Sequence, residues 1–139
     1  MPRLPDYPLL KIDFLKNVTS KKLVHETIPF VYKDKVELTN GLFYEGNFRY
    51  GKMCGEGIIS LIPVSLTNDD FKTIQNNVVY IGQMKNNKIN GKGTIFFENR
   101  FAFQGKFVDG IACGYGKILD KKNKKIVLDG VWINGEYHN

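Results

Sequence analysis

Residues 44–57 read Tyr44-Glu45-Gly46-Asn47-Phe48-Arg49-Tyr50-Gly51-Lys52-Met53-Cys54-Gly55-Glu56-Gly57. Counting Tyr44 as zero, large side chains stand at 0 and +4, and glycine stands at +2, +7, +11 and +13. The same spacing returns from Tyr80 through Gly82, Met84, Asn87, Gly91 and Gly93. It returns again from Phe103 through Gly105, Phe107, Gly110, Gly114 and Gly116. A fourth copy starts at Leu128 with Gly130, Trp132 and Gly135, but lacks the closing glycine pair. Thirteen of the chain's 14 glycines occupy template positions; the other is Gly41, and none precedes it. Self-similarity of this kind is the signature of a repeat architecture and has to be read before anything else.

The template carries its own structural logic. Side chains at 0, +2 and +4 share one face of a strand, because a strand has a period of two. Glycine between two large residues removes the side chain that would collide with rings reaching across from the next strand. Position +7 takes Gly in three copies and Asn87 in the other; Asn is the residue that best replaces Gly at positive φ, so +7 is a left-handed turn position. Ile59, Ile95 and Ile118 all fall at +15 and are expected to be buried. Each copy is therefore a β-hairpin. Successive hairpins join at Asn40-Gly41, Asn99-Arg100 and Lys121 to Lys125, Asn-Gly being a strong short hairpin signal.

With these residues in place, the chain resembles the MORN repeat family (membrane occupation and recognition nexus), whose pattern is roughly Tyr-x-Gly-x-Trp-x-x-Gly-Lys-x-x-Gly-x-Gly with a period near 23. Tyr44, Gly46, Phe48, Gly51, Lys52, Gly55 and Gly57 fill that pattern, with Phe for Trp. Copies start 36, 23 and 25 residues apart, and the resemblance spans residues 40 to 139. Departures are Ile111 and Glu136 for Lys, and Leu128 for the leading aromatic. The resemblance implies an all-β fold: one elongated, curved antiparallel sheet of repeated hairpins with a groove. It also implies a eukaryotic assembly role in the cytoskeleton, a cilium or a membrane-linked complex.

The organisation expected is an N-terminal arm over 1–35 and a repeat array over 36–139, with units starting near 44, 80, 103 and 128 and an insertion at 63–76. Pro2, Pro5 and Pro8 suit a polyproline-II start, and Asp13 to His25 is assigned a short helix stopped by Pro29. A helical turn started by Asn68 or Asp69 is assigned to the insertion. Because the fourth unit is cut short, the strand around Val127 to Ile133 is expected to be an exposed sheet edge.

Catalysis finds no foothold. The histidines are His25 and His138, and no phosphate loop, nucleophile elbow or Cys/His metal spacing is present. No cofactor or metal is expected, and the protein reads as a non-enzyme. Cys54 and Cys113 share position +10 two repeats apart, too far for a disulfide within one chain. The best candidate surface is the ring face of Tyr44, Phe48, Tyr80, Met84, Phe103, Phe107 and Trp132, which would take a helix or extended peptide of a protein partner. A single sheet cannot bury both of its faces, so the ring face must be covered by a partner, a second copy or residues 9 to 28.

Charge supplies the alternative. The chain carries +6 overall, and Lys121, Lys122, Lys124 and Lys125 crowd one hairpin tip. Such a cluster suits an anionic phospholipid surface, at about 1 kcal/mol per lysine. Nucleic acid is not expected, since lysine far outnumbers arginine. A homodimer through the open edge and the +10 cysteines is a further expectation. The start lacks a signal-peptide apolar region and no apolar run nears the ~20 residues of a membrane span. The expected location is the cytoplasm, on the cytoskeleton or a cilium, or peripherally on a membrane.

Overall fold

The computed structural model describes residues 7–22, 29–64 and 76–138. It is one open antiparallel sheet of nine strands in strict sequence order. The strands are β1 (Tyr32–Glu37), β2 (Phe43–Arg49), β3 (Lys52–Ser60), β4 (Val78–Lys85), β5 (Lys88–Phe97), β6 (Phe101–Val108), β7 (Ile111–Asp120), β8 (Lys125–Ile133) and β9 (Glu136–His138). Each strand pairs with the next, so every repeat is a hairpin laid beside its neighbour.

The four repeat hairpins (β2–β3, β4–β5, β6–β7 and β8–β9) close with two-residue tips in which both residues have positive φ. The pairs are Tyr50/Gly51 (53° and 75°), Asn86/Asn87 (50° and 67°), Asp109/Gly110 (49° and 82°) and Asn134/Gly135 (52° and 83°). Two consecutive left-handed residues make a type I′ turn, whose twist matches that of the flanking strands. The left-handed assignment at +7 holds, and +6 shares it. Between hairpins, the β5–β6 turn centres on Glu98 and Asn99 (55° and 54°), one residue earlier than Asn99-Arg100.

A row of glycines crosses the middle of the sheet. Gly46 pairs with Gly57, Gly57 with Gly82, Gly82 with Gly93, Gly93 with Gly105, Gly105 with Gly116, and Gly116 with Gly130. Every strand from β2 to β8 thus contributes one residue without a side chain at the same level. The adjacent row on the same face runs Val36, Tyr44, Ile59, Tyr80, Ile95, Phe103, Ile118 and Leu128. Ile59, Ile95 and Ile118 are buried as their spacing requires.

Three expectations need correction or lie outside the described residues. Asp13 to Lys22 is not helical. Instead a turn at Phe14–Asn17, with Lys16 N–H donating to Asp13 O at 3.0 Å and Asn17 at φ 60°, redirects the chain. The local apolar spacing is satisfied by the sheet face it lies on, which removes any need for a helix. Residues 23–28, Pro2, Pro5 and the expected turn at Asn68 or Asp69 fall outside the described residues. Finally, β8 is not a free edge over Val131–Ile133, because β9 pairs with it there. The Asn134-Gly135 tip closes a fourth hairpin even without the second glycine pair.

Candidate functional site

The seven ring-face residues form a single packed layer. Tyr44 stands edge-on to Phe48 (centroids 5.3 Å, 83°), Phe103 to Phe107 (5.5 Å, 75°) and Phe103 to Trp132 (5.0 Å, 79°). Such edge-to-face pairs add about 0.5–1.5 kcal/mol beyond the area they bury. The leading tyrosines of the first two units fold back along their own strands over the glycine row. Each hydroxyl then reaches the backbone three residues on: Tyr44 Oη donates to Asn47 O at 2.9 Å, and Tyr80 Oη to Gln83 O at 2.8 Å. Both carbonyls lie where the hairpin register shifts, so the hydroxyl satisfies a group the ladder misses. Burial is the main force raising both phenol pKa values above the ordinary range, which keeps these hydroxyls protonated as donors. Trp132 Nε1 likewise donates to a backbone carbonyl, Gly116 O, at 3.2 Å.

Residues 8–21 lie across this layer as a diagonal strap. At the hairpin-tip end, Leu10 N–H donates to Gly135 O (2.9 Å), Ala112 N–H to Leu10 O (2.9 Å) and Ile12 N–H to Gly110 O (2.7 Å). At the opposite end of the strands, Asn40 Nδ2 donates to Phe14 O (2.9 Å), Thr39 N–H to Thr19 O (2.8 Å) and Lys21 N–H to Glu37 O (2.8 Å). Leu10, Leu15 and Val18 join the ring residues in one buried cluster, flanked by Ile12 and Phe14. A cavity of 670 Å³ remains between the strap turn and the tips at Asn86–Ile89 and Asp109–Gly110.

Tyr44, Phe48, Tyr80, Met84, Phe103, Phe107 and Trp132 are therefore brought together, but as a core at most 4% exposed. A partner meets these rings only if the strap gives way.

The lysine tip is built differently. Asp120 is fully buried and accepts from Arg100 Nε and Nη2 (both 3.1 Å), Lys122 N–H (3.0 Å) and Asn123 Nδ2 (3.1 Å). The Arg100 guanidinium is the main reason its carboxyl sits below the ordinary carboxylate range. This cage fixes the turn, and Lys122, Lys124 and Lys125 project from it into solvent. Lys121 instead lies over the Phe96 ring at 5.1 Å.

The face opposite the strap carries side chains that stand between the template positions. One row across it reads Lys35, Glu45, Ile58, Ile81, Thr94, Gln104, Lys117 and Asp129. The next row toward the tips contains Glu56 paired with Gln83, then Lys92 paired with Lys106. Two lysines directly opposite one another repel, and no ion pair relieves either among the described residues. Tyr115, Val131 and Ile133 are also exposed on the last strands. The positions between the template residues held this signal.

Cys54 and Cys113 are both free, paired across the ladder with Asn47 and Lys106, and burial pushes the Cys54 thiol pKa up. Among the described residues, no group of His, Cys, Asp and Glu could hold a metal ion, and no helix is long and apolar enough to cross a membrane.

The MORN repeat family model matches the chain at residues 44–60, 80–100 and 103–123. Comparison with curated proteins found no match. The three matched stretches cover the first three repeat hairpins, each from its leading aromatic onward. The MORN repeat is a non-catalytic repeat, consistent with a scaffold or membrane-associated role.

Proposed function

The chain is a MORN-repeat protein, and on that premise we propose that it is a non-enzymatic scaffold or adaptor that holds an extended peptide or helix of a protein partner along its ring layer. The observation that supports this is the strap. An extended segment already lies on the layer, seating Leu10, Leu15 and Val18 and exchanging main-chain hydrogen bonds with the hairpin tips. A partner segment of the same chemistry, apolar side chains on an extended backbone, would take its place. Tyr44, Phe48, Tyr80, Met84, Phe103, Phe107 and Trp132 would then form the floor of the partner site. The assembly it serves would be a cytoplasmic one of a eukaryotic cytoskeleton or cilium.

The test is exchange in trans. A Leu10→Ser/Leu15→Ser/Val18→Ser variant loosens the strap, and a fluorescent peptide of residues 7–22 serves as probe. Fluorescence anisotropy should report binding to the variant and far weaker binding to the unaltered chain. A variant with native circular dichroism that ignores the peptide at high concentration would sink the reading.

A second reading is a peripheral protein on anionic phospholipid, supported by the exposed Lys122, Lys124 and Lys125 beside Lys121 on one rigid turn. Flotation with phosphatidylserine vesicles should then be lost on charge reversal at these four lysines. Binding indifferent to that reversal removes it.

A further inference from the structure

On the face opposite the strap, the band nearest the hairpin tips is basic. The middle of that face is covered by the chain's own segment after β3, where Val64 packs on Ile58 and Ile81. Toward the tips, Arg49 of β2 stands directly across the ladder from Lys52 of β3, and Lys85 of β4 from Lys88 of β5. Lys92 and Lys106 form a third such pair, one step nearer the middle. All six are exposed, and none has an ion-pair partner among the described residues. Like charges directly opposite one another destabilise a sheet. Among the described residues, the one carboxylate in this band between β2 and β6 is Glu56, while Asp109 at the tip is held by Asn90 Nδ2 at 3.0 Å. Arg49 and Lys85 also wall a cavity of 400 Å³ together with Val31, Gln83 and Asn90. In the third hairpin the same template positions, +5 and +8, carry Val108 and Ile111 instead of cations, and Val108 is 49% exposed.

We propose that this band docks an acidic segment of a partner protein in the polyproline-II conformation, running across the strands with a carboxylate, a second carboxylate and an apolar side chain at every third residue. The pitch supports that occupant. Hairpins repeat every two strands, about 10 Å, and a polyproline-II chain brings its side chains back to one face every three residues, about 9 Å. One carboxylate then falls between Arg49 and Lys52, the next between Lys85 and Lys88, and the apolar side chain over Val108. The cavity between Arg49 and Lys85 leaves room for the chain to settle between the two cation pairs. Each pair loses its mutual repulsion when a carboxylate enters, so the strain of the free sheet favours the complex. A layer of lipid headgroups has no such pitch, and a nucleic acid has no aliphatic side chain for the third step.

The probe is a fluorescein-labelled peptide, Glu-Pro-Pro-Glu-Pro-Pro-Leu, titrated with the full chain at low salt and read by anisotropy. It should bind, and binding should weaken as NaCl rises. The isomer Glu-Glu-Pro-Pro-Pro-Pro-Leu has the same charge without the spacing and should bind at least about fivefold more weakly. Lys52→Glu/Lys88→Glu turns both like-charged pairs into opposite-charged ones. It should weaken peptide binding at least about tenfold while the urea midpoint holds or rises. Both positions are exposed, so circular dichroism should remain native. Lys122→Glu/Lys124→Glu, at the far end of the strands, should leave peptide binding unchanged. No binding of either peptide, equal binding of the two, or a Lys52→Glu/Lys88→Glu variant that binds as the unaltered chain does would each overturn the proposal. Phosphatidylserine vesicles or single-stranded DNA that bind through the same lysines more tightly than the spaced peptide would also overturn it, and would assign the band to that partner.

Discussion

Tyr80 leaves no room for a β-carbon on Gly93: one built there would come within 2.5 Å of Tyr80 Cε1 and Cζ, with the hydroxyl closer still. The ring cannot retreat, because its hydroxyl is tied to Gln83 O on the same strand. The same relation joins Phe103 to Gly116, where a β-carbon would lie 2.5 Å from Cζ. A leading ring therefore needs two side-chain-free positions beneath it, one on its own strand and one on the next.

Gly93→Ala should accordingly cost about 2–3 kcal/mol of stability, the upper range for overpacking a closed core. Gly114→Asn is the contrast. That position has φ +74°, and nothing lies within 4 Å of where its β-carbon would stand, so Asn should be close to neutral there. Urea unfolding monitored by Trp132 fluorescence separates the two. Equal midpoints for both variants would contradict the packing account.

Tyr50 occupies the first tip position at φ 53°, where the other three tips use Asn86, Asp109 and Asn134. A bulky side chain in the left-handed region costs about 1–2 kcal/mol that Asn largely avoids. The ring is half exposed and its main tie is Arg49, 5.6 Å from the centroid, a contact worth about 0.5–1 kcal/mol at such a site. Tyr50→Asn should therefore be neutral to stabilising by up to about 1 kcal/mol, read as a rise in urea midpoint with unchanged m-value.

Alkali should unfold the protein through its tyrosines. Tyr44 and Tyr80 have folded pKa values raised above the ordinary phenol value, chiefly by burial. The unfolded state therefore binds fewer protons above about pH 10, and stability falls as pH rises past that point. Tyrosinate absorbance should appear together with loss of sheet circular dichroism. Tyr80→Phe should weaken this dependence, at a cost of about 1 kcal/mol for the lost hydrogen bond. Phe103, which fills the same position without a hydroxyl, already tolerates that loss.

Acid acts on Asp120. Its folded pKa is lowered, first by Arg100, so the stability it contributes is present above the ordinary carboxylate range and is lost as pH falls through the folded value. Asp120→Asn should lower the urea midpoint at neutral pH and flatten the acid limb of the stability profile. An acid limb identical to that of the unaltered chain would show that other carboxylates control it.

The sheet and its hairpins are readable in the sequence because glycine spacing is absolute: a ring lying on Gly57 or Gly93 tolerates nothing larger. The course of residues 8–21 is not, since an irregular segment has no period and its partners lie far along the chain, at Gly135, Gly110 and Thr39. Leu15 and Val18, three residues apart as on a helix face, are instead buried against the sheet together with Leu10. β9 escapes the pattern because three residues make a strand only when the Asn134-Gly135 tip folds them back. The charge rows escape it because their residues sit between the template positions, where the repeat tolerates variety.

The strap also has a length. It is pinned to the tip of the last hairpin at Gly135 and to the β1–β2 turn at Thr39, so it spans the sheet corner to corner. Inserting one more hairpin between those two anchors would widen the sheet by about 10 Å and pull one anchor out of reach. A repeat array can grow by duplication without limit. This one carries its own ruler.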